Sequence, residues 1–278
     1  YGDVTGGIAF YQFLEDLAKN FEERKKTLIE KLKETAKRLF TTDNLTVSFT
    51  ADEKGYGEMK QSLKLLTGIL PETGGERYTF TCDKENKNEG FMTSSQVNYV
   101  ARCGSFAESG LPYTGALRTL KVILGYDYLW LNVRVKGGAY GVMNGAGRTG
   151  EGYFVSYRDP NLKETNQVFE NVVKYLEEFD ADERDMTKYV IGTISDLDVP
   201  LLAPYKGSKA DAAYFSHLTD EMIKKEREEI LKATKEDIRA LAPVIREILS
   251  TGSFCVIGNA EKIRENQELF GEVKNLFN

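Results

Sequence analysis

The sequence predicts an α+β fold in which an antiparallel sheet is layered with helices. Helical and strand-like segments alternate without a strict strand–helix–strand rhythm, and no internal repeat is visible. The glycine-rich stretch 134–157 contains two extended segments on either side of residues 145–152, the composition of a β-hairpin with a loose tip. Hydrophobic residues make up 41% of the chain and charged residues 29%, which is ordinary for a folded globular protein.

The first part of the chain is predicted to be helical. Over residues 21–40 the apolar side chains recur on one helical face, and the polar run 41–44 ends this pattern. Residues 45–50 alternate apolar and polar side chains, which predicts a half-buried strand and the start of a new domain. We therefore expect two parts, a helical segment over 1–44 and a larger α+β domain over 45–278.

Apolar spacing and turn signals predict the later elements. One helix has a marked start, because Thr234-Lys235-Glu236-Asp237 resembles a capping box in which the first and last residues bond each other's amides. A loop is expected at 71–88. The other predicted helices cover 59–70, 114–128, 168–176, several segments up to 249 and a terminal segment after 258, and the predicted strands cover 96–102 and 253–258.

The charge balance argues against two classes of partner. The 278 residues carry 37 basic and 43 acidic side chains, a net charge of −6 with a pI near 5.2, so no positive field draws nucleic acid or anionic lipid. No run of about 18 apolar residues occurs, and the first residues do not resemble a signal peptide. We expect a cytoplasmic protein without nucleic-acid or membrane partners. Because Tyr1 is not a start methionine, we also expect a processed chain or part of something longer.

The cysteines are few and far apart. Cys82, Cys103 and Cys255 are an odd number, and no two have the spacing of metal ligands. We expect three reduced thiols in a cytosol-like compartment, with no redox role.

A glycine pattern at the hairpin suggests phosphate binding, but its context does not fit. Residues 145–150 match G-x-G-x-x-G, which in a dinucleotide site opens a helix. Here a strand-like segment follows, and no kinase catalytic or metal motif occurs downstream. A flexible hairpin tip accounts for the glycines, and a nucleotide-binding module remains the third alternative.

The chain lacks the residues for complete catalysis by itself. His217 is the single histidine, and Glu221 would share a helical face with it only if that segment were helical. A catalytic zinc needs three protein ligands, so we expect no metal site in this chain. The carboxylates at 180–185 are expected to be solvated turn and helix-start residues.

One segment has residues suited to binding a peptide. Between Arg134 and Gly141 the sequence Arg-Val-Lys-Gly-Gly-Ala-Tyr-Gly places a guanidinium and a phenol on either side of two glycines. Glycines admit another backbone at close range, and both side chains can donate to a carbonyl or an oxyanion. The alternative is a glycine turn with Arg134 in an ion pair and Tyr140 half buried. The residues alone leave both interpretations open.

With its surroundings, this segment resembles a known family. The stretch Arg134–Gly141, then Tyr-Arg-Asp-Pro-Asn at 157–161, then Leu-Thr-Asp-Glu-Met at 218–222, is similar to the C-terminal half of presequence proteases, in the insulysin and pitrilysin group of zinc metallopeptidases. Residues 10–17 resemble a segment just before the last domain of those enzymes. The resemblance covers most of the chain.

The resemblance implies a fold, a function and a partner. Enzymes of this family are clamshells of two homologous halves, each of two α+β domains, around a chamber that admits unstructured peptides. Their zinc motif lies in the N-terminal half, so zinc would be bound there and this chain alone would be inactive. Residues 1–44 would end the third domain, and 45–278 would form the fourth and contribute chamber wall.

The resemblance also assigns roles to residues. Arg134 would bind the substrate backbone near the scissile bond, and Tyr140 would donate a hydrogen bond to the tetrahedral oxyanion. Gly137, Gly138 and Ala139 would contribute to substrate binding. The acidic net charge suits basic peptides. The main alternative is a non-catalytic structural or assembly domain of the same fold.

Overall fold

The computed structural model of the protein describes residues 2–76, 79–81 and 87–277, and it consists of helices and one sheet. The helices are α1 (Gly2–Gly6), α2 (Ile8–Lys19), α3 (Phe21–Leu39), α4 (Glu53–Thr67), α5 (Ala116–Ile123), α6 (Lys163–Glu170), α7 (Val172–Glu177), α8 (Glu183–Leu197), α9 (Ala203–Phe215), α10 (Asp220–Leu231), α11 (Lys235–Arg239), α12 (Ala242–Ser250) and α13 (Ala260–Glu265). The strands are β1 (Asn88–Thr93), β2 (Asn98–Ser105), β3 (Gly141–Ala146), β4 (Glu151–Asp159), β5 (Ser253–Asn259) and β6 (Glu272–Asn275). None of the described helices is long and apolar enough to cross a membrane.

The chain divides into two compact units whose residue ranges differ from those of the two predicted parts. One contains residues 1–84 and 201–216, and the other contains 85–200 and 217–278. The assignment of 1–44 and 45–278 to successive domains stays a prediction.

The first unit is helical and has almost no interior. The helix predicted over residues 21–40 is present as α3, and the later helical pattern is present as α4. Of its described residues only Thr41 is buried, and large apolar side chains on α3 and α4 such as Leu32 and Leu65 are 59% and 77% exposed. Helices gain most of their stability from packing an apolar face, and none of the described residues covers these two faces.

The strand predicted at 45–50 is wrong. These residues are extended but belong to no strand, and the side chains of Val47 and Phe49 are 41% and 47% exposed. Their contacts are with α9 instead: the Ser48 hydroxyl donates to Asp211 at 2.6 Å. Alternation marks residues that could join a sheet, but a strand also needs a neighbouring strand to receive its backbone hydrogen bonds.

The second unit is built on a six-stranded sheet in the order β3-β4-β2-β5-β1-β6. The predicted hairpin is present as the antiparallel pair β3–β4, and β2 is antiparallel to both β4 and β5. The remaining pairs, β1 with β5 and β1 with β6, are parallel. The α+β class is therefore confirmed, and the sheet is mixed. Neither β1 nor β6 was predicted, whereas the strands at 96–102 and 253–258 correspond to β2 and β5.

One face of this sheet is buried under helices and the other is open. Phe154 and Val256 on the buried face join a core with Leu120, Phe169 and Ile245 from α5, α6 and α12. On the other face, the alternate residues Tyr99, Met143 and Tyr153 are 38%, 53% and 43% exposed. The open face is aromatic and apolar.

The capping box predicted for α11 is confirmed. The Asp237 amide donates to the Thr234 hydroxyl at 3.2 Å, and the Thr234 amide donates to the Asp237 carboxylate at 2.9 Å. Replacing Thr234 by alanine is expected to cost about 1 kcal/mol, because the Asp237 amide loses its hydroxyl acceptor while the backbone amide of residue 234 remains. Native-state hydrogen exchange at the Ile238 amide should therefore quicken by about fivefold in the full-length protein. As a control, Thr187→Ala at an exposed position of α8 should change exchange in that helix by less than about twofold.

Candidate functional site

The segment around Arg134 begins as a helix with unusual winding. After α5 the chain continues in a wider π-helical form over Leu124–Tyr128 and Trp130–Lys136. The helix ends at two glycines. The Gly138 amide donates to the Arg134 carbonyl at 2.9 Å, and Gly138 has φ +81°, which side chains disfavour. A Cβ at Gly137 would lie 2.5 Å from the Val133 carbonyl oxygen. Both glycines are required for this helix to end where it does.

Two residues later, Tyr140 enters the hairpin. Its amide donates to the carbonyls of Tyr157 and Arg158, at 3.1 and 3.3 Å, just before β3 begins. Its ring makes an edge contact with the Tyr157 ring, with centroids 5.5 Å apart, and the residue is 64% exposed. The phenol makes no hydrogen bond with any residue that the structure describes. The backbone and ring of Tyr140 are therefore held in place, while its hydroxyl is available to a ligand.

Arg134 lies on aromatic rings. Its Cζ is 4.1 Å from the ring centroid of Trp130 and 5.9 Å from that of Tyr140. Its guanidinium makes no ion pair or hydrogen bond within the described part of the chain. The alternative with Arg134 in an ion pair and Tyr140 half buried is therefore not observed. Stacking on Trp130 holds the guanidinium in place while leaving its N–H donors available.

The second motif holds the first one in position. Asp159 is fully buried, and its carboxylate accepts from the Asn161 amide at 2.8 Å and from the Thr165 hydroxyl at 2.7 Å. The Asn161 side chain then donates to the Gly137 carbonyl at 2.6 Å. This chain of bonds joins the end of β4 to the end of the π-helix, so that Arg134 and Tyr140 converge.

The third motif lies at the start of another helix. Thr219 caps α10, with its hydroxyl accepting from the Met222 amide at 3.3 Å. His217 lies before this cap with φ +53°, outside the helix. It therefore shares no helical face with Glu221. No group of three metal-binding side chains occurs among the described residues, so these residues do not fit a zinc site.

The roles predicted for the residues between Arg134 and Tyr140 remain untested. Ala139 is 3% exposed and its side chain belongs to the core, so only its backbone could touch a ligand. Gly137 and Gly138 have a structural role in ending the helix, and their substrate-binding role stays a prediction. The roles of Arg134 and Tyr140 likewise stay predictions.

A buried charged cluster lies at the other end of the hairpin. The Glu226 carboxylate on α10 accepts from the Tyr113 hydroxyl, the Arg118 guanidinium and the Arg148 guanidinium, each at 2.5 Å. Burial alone would raise the pKa of Glu226, but the hydrogen bonds and the two positive charges hold it below its ordinary value. Burial and the Glu226 carboxylate raise the pKa of Tyr113 to about 12, so it stays a donor at neutral pH.

This cluster corrects the expectation of a loose hairpin tip. Arg148 sits at the tip and is tied to α10 through Glu226. Gly150 has φ +91°, and a Cβ there would lie 2.7 Å from the Cβ of Ala107. The glycines serve a tight, anchored turn.

The carboxylates at 180–185 fit the expectation, whereas the absence of a redox role for the cysteines stays a prediction. Asp182 caps α8, accepting from the Asp185 amide at 2.8 Å, as expected for carboxylates at a helix start. Cys103 is exposed and Cys255 is half buried. Cys82 lies outside the described residues.

Residues 88–260 match the family model described as the PreP C-terminal domain. The chain belongs to this family. The match includes the Arg134–Gly141 and 157–161 motifs, which confirms the resemblance to the C-terminal part of presequence proteases.

Curated relatives of this PreP domain extend the match to nearly the whole chain. Protein HypA of Clostridium perfringens is 42% identical over 276 residues, covering 99% of this chain and 28% of that protein. Presequence protease 1, chloroplastic/mitochondrial, of Arabidopsis thaliana is 30% identical over 277 residues, covering 98% of this chain and 26% of that protein. The chain thus spans about a quarter of the length of these relatives.

Solved structures share the fold of the PreP domain. A peptidase M16 inactive domain from Pseudomonas fluorescens aligns with a TM-score of 0.54 at 14% identity, covering 78% of this chain and 52% of that one. Pitrilysin aligns with a TM-score of 0.55 at 11% identity, covering 80% of this chain and 25% of that one. These likenesses place the fold of the chain among M16 peptidase domains.

Sequence reasoning missed several residues of the site. Trp130 precedes Arg134 by four positions in a helical segment, and this spacing could have paired them. The spacing of Tyr99 and Arg158 in the sequence does not indicate their contacts with Tyr157. Tyr99 contacts that ring because β2 pairs with β4, and Arg158 contacts it because of the irregular register there.

Proposed function

We propose that the full-length protein is a zinc metalloendopeptidase that degrades unstructured peptides, and that this chain supplies two of its substrate contacts. The observation that carries the proposal is the pairing of Arg134 and Tyr140. Both are exposed, both are held by aromatic or backbone contacts, and their polar groups have no partner in the described residues. Groups arranged in this way are ready to bind a ligand without first breaking other bonds.

Each side chain suits its proposed role. The Arg134 guanidinium offers several N–H donors in one plane and would bind carbonyl oxygens of the peptide backbone near the scissile bond. The Tyr140 hydroxyl would donate to the oxygen of that bond as it becomes an oxyanion. Gly137 and Gly138 have no side chains and would let the peptide backbone approach closely. Ala139 would contribute only its backbone, because its side chain is buried.

We propose that the open sheet face lines part of the chamber wall. It exposes Tyr99, Met143 and Tyr153, and the adjoining Tyr140 lies at its edge. An aromatic, apolar surface can pack against the apolar side chains of an extended peptide. The net charge of −6 favours the association of basic peptides with this chain.

The partner of this chain would be the N-terminal half of the same protein. The uncovered apolar faces of α3 and α4 and the quarter-length match to the relatives support this pairing. Zinc would be held in that half, since the described residues provide no ligand set. The cytoplasmic location stays a prediction.

The test is peptide hydrolysis by the full-length protein. We expect cleavage of an unstructured basic peptide, loss of at least 90% of the activity on chelation with 1,10-phenanthroline and its return on adding zinc, as for a metal-dependent hydrolase. A folded protein of similar composition should resist cleavage. If the purified full-length protein binds zinc poorly and cleaves no peptide, the non-catalytic assembly function replaces this proposal.

A further inference from the structure

Arg158 adopts a backbone conformation that arginine disfavours. Its φ is +48°, in the left-handed region where glycine and asparagine are common and other side chains are strained. Among the described non-glycine residues only His217 shares this property. An arginine at such a position costs stability that asparagine would not, and strained residues of this kind cluster at functional sites.

The strain results from a bulge that redirects the side chain. Asn98 pairs with Asp159 and Val100 pairs with Ser156, so Tyr157 and Arg158 both lie opposite Tyr99. Strict alternation would place residue 158 on the buried face beside Ser156. Instead Arg158 is exposed, and its Cζ lies 5.5 Å from the centroid of the Tyr157 ring. A bulge can turn a side chain toward a site in this way.

The result is a second exposed guanidinium on the same series of aromatic rings as the first. Arg134 contacts the Tyr140 ring, Tyr140 contacts the Tyr157 ring, and Arg158 contacts that same ring. Neither arginine has a carboxylate partner in the described residues. Most other described arginines have a carboxylate partner, as Arg227 has in Asp198 through two bonds of 2.6 Å, whereas Arg184 and Arg264 have none. In a chain with more acidic than basic groups, Arg158 is thus an exposed positive charge without a carboxylate partner among the described residues.

We propose that Arg158, which lies on the same series of aromatic rings as Arg134 and Tyr140, binds a carboxylate of the peptide substrate. This inference rests on the proposed peptidase function and adds a specificity to it. Guanidinium groups pair with carboxylates through strong, charge-assisted hydrogen bonds, and rings beneath them keep their donors pointed outward. The carboxylate belongs either to the peptide C-terminus or to an acidic side chain. A basic peptide drawn by the net charge still carries its C-terminal carboxylate.

Two pairs of peptides and one variant test this in the full-length protein. The two peptides of the first pair have the same sequence, and one ends in a free carboxylate while the other ends in an amide. The two peptides of the second pair differ at one position, which is glutamate in one and glutamine in the other. We expect a preference for the carboxylate member of one pair, in kcat/KM and in binding measured by fluorescence anisotropy. Arg158→Asn should reduce that preference by about tenfold, as expected for loss of a charged hydrogen bond at an exposed site. The pair that responds identifies the source of the carboxylate.

A stability measurement separates this role from a structural one. Because asparagine tolerates φ +48°, Arg158→Asn should raise the thermal midpoint by about 2 °C while weakening recognition. A residue that merely supported the fold would lower the midpoint. His217→Asn is the matched control: it relieves similar strain at φ +53° and should leave the peptide preference unchanged.

The outcomes distinguish this inference from the proposed function. Cleavage without any carboxylate preference, or a preference that survives Arg158→Asn, overturns the carboxylate site and leaves the peptidase intact. An Arg158-dependent preference in binding without cleavage keeps the site and overturns the peptidase. Absence of both cleavage and preferential binding overturns both.

Discussion

Replacing Tyr140 by phenylalanine in the full-length protein is expected to lower kcat for an unstructured peptide by about ten- to a thousandfold. The change removes only the hydroxyl, so the ring keeps its edge contact with Tyr157 and the amide keeps its bonds to β4. A donor that acts on a developing oxyanion contributes in the transition state, so kcat should fall more than KM rises. Arg134→Ala should lower kcat/KM within the same range, with a larger part of the loss in KM because Arg134 would also bind the ground-state backbone.

Controls of matched chemistry accompany this measurement. Tyr126 is 74% exposed in the π-helical segment Leu124–Tyr128, and Tyr126→Phe should leave kcat within about twofold of the wild type. Arg184→Ala removes another exposed arginine without a described partner and should behave likewise. Wild-type turnover in both Tyr140→Phe and Arg134→Ala would contradict the roles assigned to them.

The elements that the sequence predicted correctly depend on nearby residues. The α11 cap involves residues three positions apart, and the β3–β4 hairpin closes over a short glycine-rich turn. Amphipathic spacing identified α3 and α4 for the same reason. In each case the physical cause lies within a few residues, so the pattern alone is informative.

The failures concern partners that are distant along the chain. Parallel β1 and β5 join residues such as Asn88 and Phe254, and no local pattern indicates that pairing. Residues 45–50 have the alternation of a strand but no neighbouring strand, so the same pattern gave a wrong prediction there. Burial of a strand is decided by what packs against it, which the segment itself does not encode.

The candidate site divides in the same way. Arg134 and Tyr140 were selected from one short motif, because donors beside two glycines suggest peptide binding. Their convergence, however, depends on Asn161 reaching Gly137 from the end of β4. Arg158 enters the site only because of a bulge. Strict strand alternation would place its side chain on the buried face of the sheet.

The Glu226 cluster gives the largest expected effect on stability. Glu226→Ala would leave Arg118, Arg148 and Tyr113 facing one another without the carboxylate, whose side chain is only 8% exposed. Removing one member of a buried ion pair costs about 3–5 kcal/mol. Here the arginine side chains are 43% and 27% exposed and can regain water, so we expect a loss of about 2–4 kcal/mol. Amide exchange at Phe106, which donates to the Gly150 carbonyl, should quicken because the hairpin tip loses its anchor.

The pH dependence of this loss separates charge from packing. The pKa of Glu226 is lowered in the folded state, so its ionised form stabilises the fold above the ordinary carboxyl pKa of about 4.3. That contribution disappears as the pH falls through the lowered folded-state pKa. The stability difference between the wild type and Glu226→Gln should therefore be largest near neutral pH and shrink below pH 4. Glu228→Gln on the same helix removes an exposed pair with Lys232 and should show less than about 0.5 kcal/mol at any pH. A difference that stays constant from pH 7 to pH 3 would mean that packing around Glu226, rather than its charge, holds the hairpin tip to α10.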